Sequence, residues 1–187
     1  EKTVYDGNTL VSRKRFIYVG YLQVAELDAT NETETASPIL RKTYLWDPME
    51  SVATRILAMS VFDEAGVYQE DLYYTHDLLK NTTALFGIQG GRRALYEYSP
   101  YGDIIKMEGN AAEINPFRFS SEYLDDDLGL VYYNYRYYNV LDGRWINRDP
   151  MAENAGFNLY CFVSNKLSID YLGLIELDNV LKQLKER

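Results

Sequence analysis

The sequence is poor in the residues that build most recognisable chemical sites, with one cysteine, Cys161, one histidine, His76, and 5 prolines among 187 residues. A lone cysteine excludes an internal disulfide, and with a single histidine it leaves no Cys/His set for structural zinc. No stretch approaches the ~20 consecutive apolar residues of a membrane-spanning helix. The opening Glu1-Lys2-Thr3-Val4-Tyr5 lacks the apolar core of a signal peptide. Positive charge is scarce as well: 19 Lys and Arg stand against 28 Asp and Glu, for a net charge of −9. Such a surface repels phosphate backbones, so nucleic-acid binding has no electrostatic support. Gly87, Gly90 and Gly91 lack the Lys-Ser/Thr of a phosphate loop and read as a turn, so no cofactor is expected.

What the chain has instead is tyrosine, 18 of them, beside 7 Phe and 2 Trp. Aromatic residues favour a half-buried pleated surface, which points to strands. Phe16 to Glu26 reads as two strands around Gly20. Lys42 to Pro48, Asp71 to Asp77 and Ala94 to Asp103 repeat a similar unit, aromatic residues such as Tyr44/Trp46 and Tyr96/Tyr98 at i and i+2 followed by Asp, Pro or Gly. Rings at that spacing share one face of a strand, and they are expected to pack face to face across neighbouring strands. The polar stretch Asp28 to Pro38 is an inserted loop. Asp125-Asp126-Asp127-Leu128-Gly129 reads as an exposed hairpin turn joining Phe119–Tyr123 to Leu130–Tyr138, since calcium ligands alternate in sequence and need more partners. His76, beside Asp77, has no nucleophile marked near it and reads as a surface or turn histidine. Cys161, within Leu159 to Val163, reads as a small buried hydrophobe. Leu177, Val180, Leu181 and Leu184 follow helical spacing, so Ile175 to Arg187 is expected to form a short amphipathic helix.

One series of residues is specific. It runs Asn115-Pro116-Phe117-Arg118-Phe119, Tyr123, Gly129-Leu130, Tyr132-Tyr133, Arg136-Tyr137-Tyr138, Gly143-Arg144-Trp145, Arg148-Asp149-Pro150, Gly156-Phe157-Asn158-Leu159-Tyr160, Asn165 and Asp170-Tyr171-Leu172-Gly173-Leu174. In this order and spacing it resembles the core domain that closes Rhs/YD-repeat proteins and the C components of Tc toxin complexes. The upstream tyrosine units look like degenerate YD repeats. Tyr171 stands where that family usually has Pro, and Lys166-Leu167 where Asn-Pro is usual.

The resemblance implies a mainly β fold of antiparallel hairpins in a spiralling shell, with residues 1–114 as repeat sheet, 115–174 as core domain and 175–187 as a helix left from a cargo. It implies a bacterial protein, secreted or delivered to cell surfaces, used to carry toxins in competition between bacteria. It also implies self-cleavage by an aspartic-protease-like pair, Asp149 and Asp170, with Arg148 beside the first and Leu174–Ile175 as the scissile bond. Two carboxylates sharing one proton suit that reaction, one activating water while the protonated one polarises the carbonyl, and mutual repulsion is expected to hold one of them above the usual carboxylate range.

A shell around a cargo of about 100 residues needs roughly 6,000 Å² of sheet, about twice what this chain can tile. The chain is therefore expected to be the cap of a larger shell, an orphan or a shortened form. Its partners would be the rest of the shell or a C-terminal toxin cargo, with self-association through open sheet edges. A non-catalytic module engaging other chains or surface glycans is the alternative. Long-range sheet pairing would make isolated folding slow.

Overall fold

The structure is a computed structural model that describes residues 1–33, 35–49, 55–149 and 158–162, together with the backbone pairing of 170–171 and 175–176. Its main body is one nine-stranded antiparallel sheet: β1 (Lys2–Asp6), β2 (Thr9–Val19), β3 (Leu22–Asp28), β4 (Ile39–Trp46), β5 (Ile56–Phe62), β6 (Tyr68–His76), β7 (Thr82–Gly87), β8 (Arg92–Tyr98) and β9 (Ile104–Glu108). The strands lie in the order of the sequence. Pairing within this sheet is thus between strands successive in the sequence rather than long-range.

The turns follow from residues at the strand ends. After the aromatic or His residue that closes β4, β5 and β6 comes Asp47, Asp63 or Asp77. Each of these carboxylates accepts the backbone N–H two residues on, from Met49 at 2.9 Å, Ala65 at 2.9 Å and Leu79 at 2.8 Å. An Asp that closes its own turn is what makes the tyrosine units end where they do. Every pairing in the sheet also carries a register shift, in the hairpins next to the turn, as at Leu45/Trp46, Val61/Phe62 and Thr75/His76. An extra residue at each step bends the strand and adds right-handed twist, so the sheet coils.

One face of this sheet is covered. Tyr44, Met59 and Leu72 are direct cross-strand neighbours and all are buried. Residues 109–123 cross over them. At Gly109, with φ at 104°, the chain passes so close to β8 that a Cβ would fall 2.1 Å from the Arg93 carbonyl oxygen. Asn115, fully buried, accepts from the Tyr74 hydroxyl at 2.6 Å and donates to the Tyr96 hydroxyl at 3.3 Å and to the Phe117 carbonyl at 2.9 Å. The Phe117 ring then sits edge-on between Tyr44 and Trp46, with centroids at 4.8 and 5.1 Å. The sheet aromatics therefore pack edge-on against the crossing segment. Face-to-face packing across strands, expected from the sequence, is replaced by stacking along one strand, as in Tyr96/Tyr98. Edge-on geometry suits rings meeting at a buried seam, positive edge to negative face.

A second, four-stranded sheet follows a 3-10 turn at Phe119–Ser121. It comprises β10 (Tyr123–Asp125), β11 (Leu130–Tyr133), β12 (Arg136–Asn139) and β13 (Arg144–Trp145). The segments expected as two long strands are therefore shorter: Phe119–Ser121 is a tight turn with Ser120 and Ser121 at positive φ, and Asn134-Tyr135 breaks 130–138 into β11 and β12. The hairpin turn is present at 126–129, but Asp125 belongs to β10 and is buried, its carboxylate accepting from the Leu128 N–H and from Lys2. Phe119, Val131, Tyr133, Tyr138, Trp145 and Phe162 form a core of their own here. A last pair, β14 (Asp170–Tyr171) and β15 (Ile175–Glu176), is antiparallel. Ile175 is thus in a strand where the sequence suggested the start of a helix, and residues 177–187 lie outside the described residues.

Candidate functional site

β12 alternates buried and half-buried positions, and Arg136 shares the buried face with Tyr138. A charge on an apolar face requires a partner, because an unpaired buried ion is among the costliest groups a fold can hold. Arg136 is 2% exposed. Its Cζ lies 4.1 Å from the centroid of the Trp145 ring, a cation–π contact. Its Nη1 lies 2.9 Å from Oδ2 of Asp149, which is 7% exposed. The backbone fixes both partners. The Trp145 N–H donates to the Tyr160 carbonyl at 3.0 Å, that of Ile146 to Tyr137 at 3.0 Å, and that of Asp149 to Leu159 at 3.1 Å. Asp149 thus sits in the wall of the aromatic core, held by β12 on one side and 158–162 on the other.

Arg148, which the resemblance put beside the first carboxylate of the pair, is exposed, and Asp149 forms an ion pair with Arg136. The second predicted carboxylate, Asp170, lies in β14. Its backbone is opposite Glu176, and Tyr171 is opposite Ile175, the residue downstream of the expected cut. The side chain of Asp170, Leu174 and the separation of the two carboxylates lie outside the described residues.

His76 is a correction. It ends β6 half-buried, stacked on Tyr74 at 6.1 Å, with an Nε2 atom that has no hydrogen-bond partner among the described residues. Burial, reinforced by the Arg55 charge, lowers its pKa from 6.5 to about 4. The aromatic ring two positions before it was the signal for this, since i and i+2 share a face. Cys161 is half-buried rather than buried, and forms an isolated bridge with Arg144.

Away from Asp149, a cleft of about 700 Å³ opens between β1–β3 and β10–β12. Lys2 closes one side, its ammonium held between Asp125 and Asp127. Tyr18, Tyr132 and Tyr137 line it, and the Tyr18 phenol is pushed up to about 12 by burial and by the other two rings. Gln23, 4% exposed, also lines the cleft, and its Nε2 is without a hydrogen-bond partner among the described residues.

Known proteins place this arrangement. The fold is that of a toxin-complex β-shell: in the crystal structure of TcdB2-TccC3-TEV, 92% of this chain superposes on 8% of that one, with a TM-score of 0.69 at 23% sequence identity. Among sequences, the chain is 27% identical over 168 residues to "Double-stranded DNA deaminase toxin A" of Burkholderia cenocepacia, covering 86% of this chain and 12% of that protein. It is 30% identical over 107 residues to "Toxin subunit YenC2" of Yersinia entomophaga, covering 54% and 11%. The resemblance to Rhs/YD-repeat proteins, and to the C component of Tc complexes, therefore holds in sequence as well as in fold. No family model matches the chain. In these two sequence relatives and that structure it spans about a tenth of the longer protein's length. Among the described residues no helix is long and apolar enough to cross a membrane.

Proposed function

We propose that the chain is the C-terminal cap of an Rhs/YD-repeat toxin-delivery shell of a bacterium, which cuts itself between Leu174 and Ile175 by aspartyl-type hydrolysis. Asp149 and Asp170 are the pair, with Arg148 flanking the first. The observation that carries the reading is the placement of the two segments. Asp149 is buried in a desolvated aromatic wall, where an electrostatic interaction is worth most. Asp170 lies in the strand that pairs with the one beginning at Ile175, about one strand spacing, ~4.8 Å, from the downstream chain. Tethering the bond to its own catalyst removes the entropy of bringing the two together.

Mass spectrometry of freshly made protein tests this. The expected species is a chain ending at Leu174 with a released Ile175–Arg187 peptide, and Asp149→Asn or Asp170→Asn leaves the chain whole. Recovery of intact wild-type protein alone overturns the activity. The rest of the shell would pair with the open edges at β1 and β9, the outer strands of the sheet. A toxin as cargo fits the names of these relatives, and delivery outside the producing cell would follow from such a cargo.

A second reading, a non-catalytic module that engages another chain or a surface glycan, draws on the cleft of Tyr18, Tyr132 and Tyr137, whose floor offers the spare amide of Gln23. Silence on a glycan array, together with unchanged self-association after Gln23→Leu, removes it.

A further inference from the structure

We infer that Lys42, set beside Lys14 on the carboxylate of Glu26, is a nucleophilic amine whose Nζ condenses with a small aldehyde to form an imine. The site lies apart from the proposed cut and does not depend on it.

Register brings the groups together. Phe16, Glu26, Lys42 and Val61 are successive cross-strand partners on β2, β3, β4 and β5, so they share one face, where Phe16 and Val61 pack against the covered core. Lys14 lies two positions before Phe16 and Tyr44 two after Lys42, which adds both to that face. Glu26, 3% exposed, is the acid on which they meet. Its Oε1 lies 3.4 Å from Nζ of Lys14 and 3.6 Å from Nζ of Lys42, and its Oε2 accepts from the Tyr44 hydroxyl at 3.4 Å. Two ammonium groups thus share one oxygen. The other charges facing the pocket are Asp28, cross-strand from Lys14, and Arg41, while Asp126 acts on Lys42 from the turn after β10.

Lys42 is the more hidden of the two amines, its side chain 16% exposed against 37% for Lys14. Burial holds its pKa below the usual 10.5, Glu26 pulls the other way, and the Lys14 charge adds to the lowering. A desolvated lysine beside a second cation gives up its proton readily, and the neutral amine is the nucleophile. A pocket of about 250 Å³ opens onto it, with Ser12 and Thr30 on one side and the apolar side chains of Val61, Phe62 and Ile114 on another. That space suits a small carbonyl compound. In the reaction Glu26 takes a proton from the Lys42 ammonium, and the freed lone pair bonds to the carbonyl carbon. The carbonyl oxygen then receives two protons, one back from Glu26 and one from the nitrogen, and leaves as water. The nitrogen keeps its third proton, so the product is a protonated imine and nothing is oxidised or reduced.

The test treats the full chain briefly with formaldehyde and cyanoborohydride, which traps each imine as a methylated amine, and reads every lysine by peptide mass spectrometry. At about pH 7, Lys42 should be methylated ~10-fold faster than Lys106, whose side chain is 43% exposed. Lys14→Met, which removes the neighbouring cation from a half-exposed position, should slow Lys42 about threefold and leave Lys106 unchanged. Near-UV circular dichroism reports whether the variant keeps the fold. The wild-type ratio is decided without any variant: methylation of Lys42 at or below the Lys106 rate overturns the inference. Fast methylation of Lys42 that a folded Lys14→Met chain retains in full overturns it as well, because the second cation would then play no part. Selective methylation that Lys14→Met slows supports it.

Discussion

In the nine-stranded sheet every strand pairs with the one just before it, and each hairpin is closed by residues a few positions apart. In the core behind it, contacts join distant parts of the chain: Asn115 reaches Tyr74, Thr82 bonds the Phe117 carbonyl, and Arg136 meets Asp149. The sheet also leaves apolar side chains in the open, among them Leu45, Tyr73 and Phe86, a cross-strand row on its uncovered face. The separate core around Trp145 leaves none of its six residues more than 9% exposed. A repeat can lose a contact and keep its neighbours, whereas a core built of single long-range contacts has no spare ones. Damage should therefore be graded by region rather than by residue type.

The largest contrast is expected between two apolar truncations. Phe117→Ala, which removes the ring wedged between Tyr44 and Trp46, should cost about 3–5 kcal/mol in urea unfolding. Leu45→Ala, at a residue 60% exposed on the other face, should stay within about 0.5 kcal/mol. Equal losses would erase the distinction between the regions.

The ion pair sharpens the comparison from the polar side. Asp149→Leu leaves Arg136 buried without that partner and should cost about 3 kcal/mol, most of it recovered in the double variant Asp149→Leu/Arg136→Met. A double variant as unstable as the sum of the singles would mean that the pair contributes through packing alone.

A smaller effect belongs to His76. Its folded pKa, about 4, lies below the ordinary 6.5, so the unfolded chain takes up the proton first as pH falls. Stability from the neutral imidazole is complete above 6.5 and is lost as pH drops from 6.5 toward 4. His76→Phe, which keeps the stack on Tyr74, should flatten the thermal midpoint across that window. An unchanged slope would put the pH dependence elsewhere. The smallest effect is expected at Lys2, whose pair with Asp127 lies at the surface and whose other partner, the buried Asp125, keeps the Leu128 N–H. Lys2→Met should cost no more than about 1 kcal/mol, less at high salt.

Much of the sheet was legible because its signal is local. Tyr44/Trp46 and Tyr96/Tyr98 mark strand faces two residues at a time, and Asp47 and Asp77 mark the turns in the same window. Strands without such pairs, β7 and β9 for instance, carry only Thr-Thr-Ala-Leu-Phe and Ile-Ile-Lys-Met, and gain their place from the strands beside them. The core motif was legible as a pattern and less so as geometry. Arg148 was the natural partner for Asp149 by adjacency, yet adjacent residues in extended chain face opposite ways, and Arg148 is exposed where Asp149 is buried. Arg136 carried a usable signal: it falls two positions before Tyr138, on the apolar face, where a guanidinium has to meet an acid. The bulges had none, because an extra residue in a ladder appears only when both strands are aligned.

That strict strand order has a consequence in time. A chain leaves the ribosome at about 5–20 residues per second, and a sheet whose strands each need only the one before can be laid down at that pace, hairpin by hairpin. Asp149 is different: its backbone partner, the Leu159 carbonyl, is made later than Asp149 itself, and Tyr160, which fixes Trp145 behind Arg136, later still. A cut that depends on this aspartate is therefore silent while the wall is under construction and becomes possible only once the wall exists. For the proposed cut, the order of synthesis would act as a clock that releases the downstream segment last.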